Sequence, residues 1–218
     1  MGNSFHSIRR QYIKGAFSET QVHQDPLVQL EYWLTDAIRS ECPEPTAMVL
    51  STTGQDFRPS SRVVLLKGIG KIGVTFFTNY NSRKGHQLLE NPQASLLFFW
   101  PGLERQVRLE GAVTKVTAEE SDTYFDTRPE SSRISAIISP QSQVIPNREW
   151  LHDKIDLLRN PTLQSGNSFP SLTRPVNWGG YRMMPEYLEF WQGREDRLHD
   201  RIVFRKAGAG WTVFRLAP

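Results

Sequence analysis

The stretch "SRVVLLKGIGKIGVTFFTN", residues 61–79, decides between two fold classes. Its central "GIGKIG" (68–73) has the glycine spacing of dinucleotide-binding folds and follows a strand-like run. Those folds continue into a helix at this point, whereas "VTFFTN" (74–79) carries the β-branched and aromatic residues of another strand. We therefore interpret the glycines as the turn of a β-hairpin, which predicts antiparallel strands and no dinucleotide-binding domain.

Short runs of β-branched and aromatic residues, broken by Gly, Pro or Asn, continue on both sides of this hairpin. Between them lie segments with the apolar spacing of helices, and Asp25 is a good N-cap for the first. This spacing predicts a mainly β, antiparallel sheet or barrel with inserted helices. The predicted strands are 47–53, 61–69, 73–79, 94–100, 105–116, 187–191, 201–205 and 211–215, and the predicted helices are 26–40, 82–91, 118–128, 130–138 and 147–159.

The sequence contains neither an internal repeat nor a clear domain boundary. Residues 26–218 are therefore predicted to form one domain, preceded by an N-terminal arm over 1–25. The stretch 159–177 is rich in Pro, Ser and Asn, and it is predicted to be a loop.

The composition limits the classes of function without choosing among them. No apolar run approaches the ~20 residues that a membrane span needs, so no membrane partner is expected. Cys42 is the only cysteine, which excludes an intramolecular disulfide and a thiolate metal cluster; we expect no metal and a reducing, cytoplasmic setting. A formal net charge of +3 suits an anionic small molecule as well as nucleic acid.

The segment "TNYNSRKGHQLLENP" (78–92) combines a helix start with the wrong charge for one. Ser82 is a good N-cap, yet the first turn carries Arg83 and Lys84 and no acid. The free amides and dipole of a helix N-terminus favour negative charge, so two cations there become favourable when a phosphate binds. The alternative is a surface pair that is merely tolerated, because such mismatches are small energetically.

"SRVVLLK" (61–67) has a cation at each end of an apolar strand. Arg62 and Lys67 are five residues apart and project to opposite faces of a regular strand. They cannot both bind one phosphate unless the strand bulges or ends between them. The alternative is a pair of charges that flank a core strand.

"TAEESDTYFDTRPESSR" (117–133) opens with a capping box from Thr117 to Glu120. Tyr124 and Arg128 lie on one helix face, and Pro129 ends the helix at Arg128. With Ser132 just beyond, these side chains could form a phosphate clamp, although an exposed Tyr–Arg stack has the same spacing.

"FWQGREDRLHDR" (190–201) is either a solvated charged loop or the lining of an anion site. If the chain is extended from Arg197, then Arg197, His199 and Arg201 share one face, while Leu198 and Ile202 point the other way. Asp200 falls on the apolar side and breaks the pattern.

Taken together and in this order, several motifs resemble the pyridoxine (pyridoxamine) 5′-phosphate oxidase family, over about residues 9 to 218. The likeness is poorest over 159–177, and Arg194 is bulkier than the family pattern leads us to expect. The motifs are "RRQY" (9–12), "EPTAM" (44–48), "RVVLLK" (62–67), "FFTNYNSRKGHQ" (76–87), "LERQVRLEG" (103–111), "YFDTRPESS" (124–132), "SPQS" (139–142), "WGGYR" (178–182), "EFWQGREDRLHDR" (189–201) and "RLAP" (215–218).

The resemblance implies a homodimer of split β-barrels with FMN in clefts at the subunit interface. It implies that FMN is bound by Arg62, Val63, Val64, Leu65, Leu66, Lys67, Phe77, Thr78, Arg83, Lys84, Gln106, Gln141, Ser142, Trp191 and Arg201. The substrate phosphate would be bound by Lys67, Tyr124, Arg128 and Ser132, the substrate ring would lie under the catalytic Arg197 and His199, and Arg9 to Tyr12 would form a lid.

The activity implied by this resemblance is oxidation of pyridoxamine or pyridoxine 5′-phosphate to pyridoxal 5′-phosphate. The C4′ hydrogen would pass as hydride to flavin N5, and O2 would reoxidise the flavin to give hydrogen peroxide, with ammonia released from the amine. A flavin reductase or FMN-storage protein is an alternative, but it has no reason to keep Tyr124, Arg128 and Ser132 together with "RLHDR" (197–201). A basic nucleic-acid-binding β-barrel is the alternative outside the enzymes; the family resemblance implies no nucleic-acid partner.

Overall fold

The computed structural model describes residues 11–159 and 172–218, and a nine-stranded sheet forms the centre of that part of the chain. All of its strand pairings are antiparallel. The strands are β1 Ala47–Thr52, β2 Ser60–Leu65, β3 Gly68–Gly70, β4 Gly73–Asn79, β5 Gln93–Trp100, β6 Arg105–Lys115, β7 Trp178–Gln192, β8 Asp200–Ala207 and β9 Gly210–Arg215.

The described residues also contain five α-helices, of which α1 precedes β1 and the other four lie between strands. They are α1 Pro26–Arg39, α2 Arg83–Glu90, α3 Ala118–Asp126, α4 Glu130–Ile138 and α5 Glu149–Arg159. Asp25 and Thr117 cap α1 and α3 as predicted, and the capping box of α3 is complete. The prediction of a mainly β, antiparallel fold with inserted helices is confirmed.

The strand order is β2-β1-β5-β6-β7-β4-β3, with β8 on β7 and β9 on β8. The 15-residue β7 organises this arrangement, because one of its edges is shared by two strands. Its first half pairs with β4 and its second half with β8, while β6 runs along its other edge. The sheet therefore divides along β7 and curls into a half-barrel, which is the split-barrel architecture expected.

The strand predicted over 187–191 is much longer than expected, since β7 begins at Trp178. Its first half was not predicted as a strand because it contains two glycines and Pro185. Gly179 and Gly180 lie against Tyr80 and Phe77, where a β-carbon would collide. Pro185 is accommodated at a register shift, opposite Gly111, where the ladder with β6 is already interrupted.

The hairpin that decided the fold class is confirmed, because Gly70 pairs with Gly73 where β3 turns into β4. The single strand predicted over 61–69 is instead two strands, β2 and β3, separated at Leu66 and Lys67. The Leu66 amide bonds to Thr46 and the Lys67 amide to Thr75, so the chain changes partner strand between these two residues.

The core is built from side chains that alternate along the strands, as in β1, where Met48 and Leu50 are buried. Helix α1 closes one region of this core, because Trp33 packs 4.9 Å from Phe17 and 5.2 Å from Phe190, measured between ring centroids. None of the described helices is long and apolar enough to cross a membrane.

Candidate functional site

A cavity of about 950 Å³ lies between β2, the junction of β4 with α2, and helices α3 and α4. Among the described residues, five cationic side chains line it and no aspartate or glutamate does. Unopposed positive charge in a low-dielectric cleft attracts anions, so the cavity suits an anionic ligand. The cations are Arg62, Lys67, Arg83, Lys84 and Arg128.

Arg62 is oriented on β2 by neutral acceptors in the described residues. Burial, and then the nearby Arg83, lower the pKa of its guanidinium. The guanidinium is therefore held in position while its charge stays uncompensated by any carboxylate of the cavity wall. Its acceptors are Leu50 O at 3.2 Å, Thr52 Oγ1 at 2.5 Å, Ser60 Oγ at 2.6 Å and Gln87 Oε1 at 3.4 Å.

Lys84 is a buried amine, with 8% of the residue exposed. Its Nζ donates to Thr78 Oγ1 at 3.0 Å, Gln141 Oε1 at 3.2 Å and Ser82 Oγ at 3.3 Å. Burial, and then the charge of Arg62, lower the pKa of Lys84 to about 8. A buried charge without a counter-ion is costly, and a bound anion would relieve that cost.

Helix α2 begins where the sequence predicted it, directly after Ser82. Ser82 is its N-cap and accepts from the Gly85 amide, and the first turn contains Arg83 and Lys84 but no acid. Both cations line the cavity, so the helix N-terminus and two positive side chains are directed to the same space.

Arg62 and Lys67 line the same cavity although they were expected on opposite faces of one strand. That expectation depended on a regular strand, and β2 ends at Leu65. The predicted flavin segment divides at this break, since Val63, Val64 and Leu65 line the cavity but Leu66 is 5% exposed and belongs to the core.

The junction of α3 and α4 brings Tyr124, Arg128 and Ser132 to the cavity wall, as the sequence predicted. The Arg128 guanidinium lies 4.5 Å from the ring centroid of Trp178, and burial lowers its pKa. Its Nη1 atom is buried and has no hydrogen-bond partner within the described residues. An oriented donor of this kind needs an acceptor, which a bound ligand can supply.

The remaining cavity residues complete the wall. The ring of Phe77 stacks on Tyr124 with centroids 3.9 Å apart, and Thr78 and Gln141 are the neighbours of the Lys84 amine. Ser142 also lines the cavity and has a φ of 72°, which is uncommon for a serine and marks a constrained turn.

Several lining residues were missed by the sequence interpretation. Ser135, Ala136 and Ser139 continue the face of Ser132 at helical spacing, which is a signal that the sequence contains. Trp178 stacks with Tyr124 at an interplanar angle of 7°, and only its position in "WGGYR" could have indicated it.

Three other predicted site residues form a second group that does not line this cavity. Gln106, Trp191 and Arg201 pair across β6, β7 and β8 and form one row. Arg201 Nε donates to Glu189 at 2.7 Å, and its Nη1 donates to the backbone oxygen of Ala217 at 2.9 Å. Burial acts to raise the pKa of Glu189, but Arg201 and Arg108 outweigh it and hold this pKa below its usual value.

The extended geometry assumed from Arg197 onward is wrong. Residues Glu195–Arg197 form a 3₁₀ turn, Arg197 has a φ of 63°, and β8 begins only at Asp200. Leu198 is consequently 68% exposed and does not share a buried face with Ile202. Arg197 and Arg201 are therefore not placed side by side by strand alternation.

The described part of the N-terminal arm is attached to this second group. The ring of Tyr12 lies edge-on to Trp191 and His199, with both centroid distances 5.6 Å. Glu104 Oε2 accepts from the amides of Ile13 and Lys14 at 2.8 and 2.9 Å. Tyr12 thus joins His199 and not the cavity, while the predicted lid residue Arg9 lies outside the described residues.

The described residues contain no group of three or more His, Cys, Asp or Glu side chains that could hold a metal ion.

Two segments of the chain match models of known protein families. Residues 34–160 match the family model for pyridoxamine 5′-phosphate oxidase, and residues 178–218 match the pyridoxine 5′-phosphate oxidase C-terminal dimerisation region. A solved structure of PhzG from Burkholderia lata, in complex with tetrahydrophenazine-1-carboxylic acid, has a TM-score of 0.86 at 31% identity and covers 94% of this chain and 99% of its own. An FMN-binding protein from Nostoc punctiforme, at 16% identity and a TM-score of 0.71, shares the fold; the match covers 90% of this chain and 100% of that one.

Two curated relatives are similar over nearly the full chain. One from Polynucleobacter asymbioticus is 49% identical over 99% of this chain and 100% of its own, and one from Cupriavidus necator is 51% identical over 97% of each. Both are named pyridoxine/pyridoxamine 5′-phosphate oxidase. This chain, with its cationic cavity on a split barrel, belongs to the pyridoxine/pyridoxamine 5′-phosphate oxidase family of oxidoreductases.

Proposed function

We propose that the protein is an FMN-dependent oxidase that converts pyridoxamine or pyridoxine 5′-phosphate to pyridoxal 5′-phosphate. The main support for the proposal is the cavity, which is lined by five cations and by no carboxylate of residues 11–159 and 172–218. FMN and the substrate each bring a phosphate, and together they account for the excess of positive charge.

One cation of β2 and two at the start of α2 fit the phosphate of FMN. Arg62 and Lys84 are oriented cations whose described partners are neutral, and Arg83 lies beside them. The apolar wall of Val63 to Leu65 offers a surface for a flat ring, since Val63 is 62% exposed. Gln141 and Ser142 would complete the flavin site on this chain.

A second phosphate would be held by Lys67, Tyr124, Arg128 and Ser132, which line the same cavity. The buried Nη1 of Arg128 supplies a donor that lacks an acceptor in the described residues. A flavin reductase or an FMN-storage protein needs only the residues that bind the phosphate of FMN. The second set of phosphate-binding residues therefore favours an enzyme that acts on phosphorylated substrates.

A homodimer would complete each site. The cavity residues and the row of Gln106, Trp191 and Arg201 occupy different regions of one chain. A partner copy would bring its own row, with Arg197 and His199, against the cavity. The match of residues 178–218 to a dimerisation region supports this arrangement.

In the proposed reaction, FMN held by these residues would supply the redox chemistry, a two-electron oxidation of the substrate at C4′ with O2 as the final acceptor. The protein would contribute by fixing two phosphates in one cavity, which places the substrate ring against the flavin ring. Arg197 and His199 would orient the reacting arm of the substrate. Pyridoxine phosphate would leave as the aldehyde, and pyridoxamine phosphate would release ammonia after hydrolysis of its imine.

The test is an oxidase assay on the purified protein. We expect a yellow protein with flavin absorption that forms hydrogen peroxide from both phosphorylated vitamers and far more slowly from unphosphorylated pyridoxine. A flavin-containing protein that oxidises neither vitamer, but oxidises a tetrahydrophenazine carboxylate like the ligand of the PhzG relative, would replace the proposed substrate. A colourless protein that binds no FMN would refute the cofactor as well.

A further inference from the structure

The hydrogen bond of His199 defines the chemical state of its imidazole. Its Nδ1 lies 3.1 Å from the backbone nitrogen of Arg194, which can only donate. Nδ1 must therefore accept, and it carries no proton. The single proton of a neutral ring is then on Nε2, which has no hydrogen-bond partner in residues 11–159 and 172–218.

The loop around this bond is braced on three sides. The rings of Trp191 and Tyr12 lie 4.6 and 5.6 Å from the His199 ring, measured between centroids. Arg194 forms an ion pair with Asp200 at 3.2 Å. Asp200 also accepts from the Phe17 amide at 3.0 Å and from Arg215 at 2.6 Å, so the arm, β8 and β9 all hold the loop in place.

The surroundings of His199 favour its neutral form, first through burial. Burial, and then the charge of Arg197, lower the pKa of His199, while Asp200 acts in the opposite direction. Among the described residues, Tyr12 is a further titratable side chain in contact with the ring. An added proton would also have to go to Nδ1 and would break the bond from the Arg194 amide.

We propose that the loop 193–199 fixes His199 as the neutral Nε2–H tautomer, so that His199 serves the bound vitamer as a hydrogen-bond donor and not as a proton acceptor. Arg194 and Asp200 are then positioning residues for this donor. The tautomer follows from the fold alone, whereas the identity of the acceptor rests on the proposed function. Since Nδ1 is occupied and Nε2 is already protonated, neither nitrogen can remove a proton without rearrangement of the loop.

The tautomer can be measured directly on the holoenzyme. Protein labelled with ¹⁵N-histidine contains five histidines, and His199→Asn identifies the signals of His199 by their loss. We expect a protonated Nε2 and an unprotonated Nδ1 at pH 7 to 8. A protonated Nδ1, or an imidazolium at pH 7, would overturn the proposal. This measurement requires no turnover, so a failure of the proposed oxidase reaction would leave it interpretable.

A pair of variants tests the role of the donor. The amide nitrogen of glutamine reaches the position of Nε2–H, whereas the amide of asparagine reaches only that of Nδ1. We expect kcat/KM to fall less than about tenfold in His199→Gln and roughly 30- to 1000-fold in His199→Asn, with unchanged FMN content in both. Equal losses in the two variants, with an acidic pKa removed from the pH profile of kcat/KM, would show that His199 accepts a proton.

Discussion

At the scale of single residues, Lys84 is a buried amine whose positive charge suits a bound anion but destabilises the ligand-free protein. Its pKa is about 8 in the folded protein and near its usual 10.5 in the unfolded chain, so the unfolded chain binds more protons between these pH values. The protonated amine therefore destabilises the ligand-free protein at pH 7, by about 1–2 kcal/mol after solvent screening.

We predict that Lys84→Met raises the thermal stability of the FMN-free protein at pH 7 and abolishes tight FMN binding. The gain should shrink as the pH rises from 8 to 10.5, because wild-type Lys84 then loses its proton in both states. Thermal unfolding of the two apoproteins across this pH range checks the prediction. A less stable Lys84→Met apoprotein at pH 7 would contradict it.

The same pKa predicts the pH dependence of FMN binding. An anion is bound best while Lys84 is protonated, so FMN affinity should fall as the pH rises above about 8, by up to roughly tenfold per pH unit. Lys84→Arg is the matched control, since a guanidinium stays charged throughout and should remove this decline. Flavin fluorescence titrations of the apoproteins from pH 7 to 9.5 would reveal a flat wild-type profile if the assignment is wrong.

At the scale of elements, the junction between α3 and α4 positions residues that are proposed to bind the substrate phosphate. Helix α3 ends at Asp126, two residues before Arg128, where Pro129 was expected to end it, and the chain turns before α4 begins. This turn places the Arg128 guanidinium over Trp178, inside the cavity wall. The element boundary, and not only the residue type, is what positions the cation.

We predict that Arg128→Ala lowers kcat/KM for the phosphorylated vitamers by roughly ten- to a hundredfold while FMN remains bound. The reason is the loss of charge-assisted hydrogen bonds to the substrate phosphate, which contribute about 1.5–3 kcal/mol. Arg39→Gln is the control, because Arg39 is exposed at the end of α1 and does not line the cavity. Steady-state kinetics and a flavin titration of both variants would refute the assignment if Arg128→Ala lost FMN or the two variants behaved alike.

At the scale of the whole molecule, the predicted ligands are divided between the cavity and the row on β6, β7 and β8. If a dimer joins the cavity of one subunit to the row of the other, Lys84→Met and Arg201→Met damage different halves of each site. A mixed dimer then contains one site with both defects and one intact site.

We predict that each variant alone is nearly inactive and that refolding equal amounts together restores about a quarter of wild-type activity. Half of the dimers are then mixed, and each mixed dimer has one of two sites intact. Mixing without refolding or subunit exchange is the control and should restore nothing. Recovery of no activity after verified formation of mixed dimers would mean that each site is built from a single chain.

The sequence determined the features that depend on residues a few positions apart. Ser82 and Thr117 cap their helices, α3 ends before Pro129, and "GIGKIG" turns a hairpin because a strand and not a helix follows it. These signals act through local backbone geometry, so they survive without knowledge of the rest of the chain. The sequence likewise indicated the cations of the cavity, because positive charges occur at a helix start and at strand ends where local structure gives no reason for them.

Only the tertiary structure decided how distant segments combine. Arg62 and Lys67 share a cavity because the chain changes partner strand after Leu65, and β7 extends back to Trp178 because the β6 ladder has a register shift that admits Pro185. The turn at Glu195–Arg197 likewise replaces the extended strand that alternation suggested. Each of these outcomes is set by pairing with segments far away in the chain, and alternation of residue types along one strand contains no information about its partners.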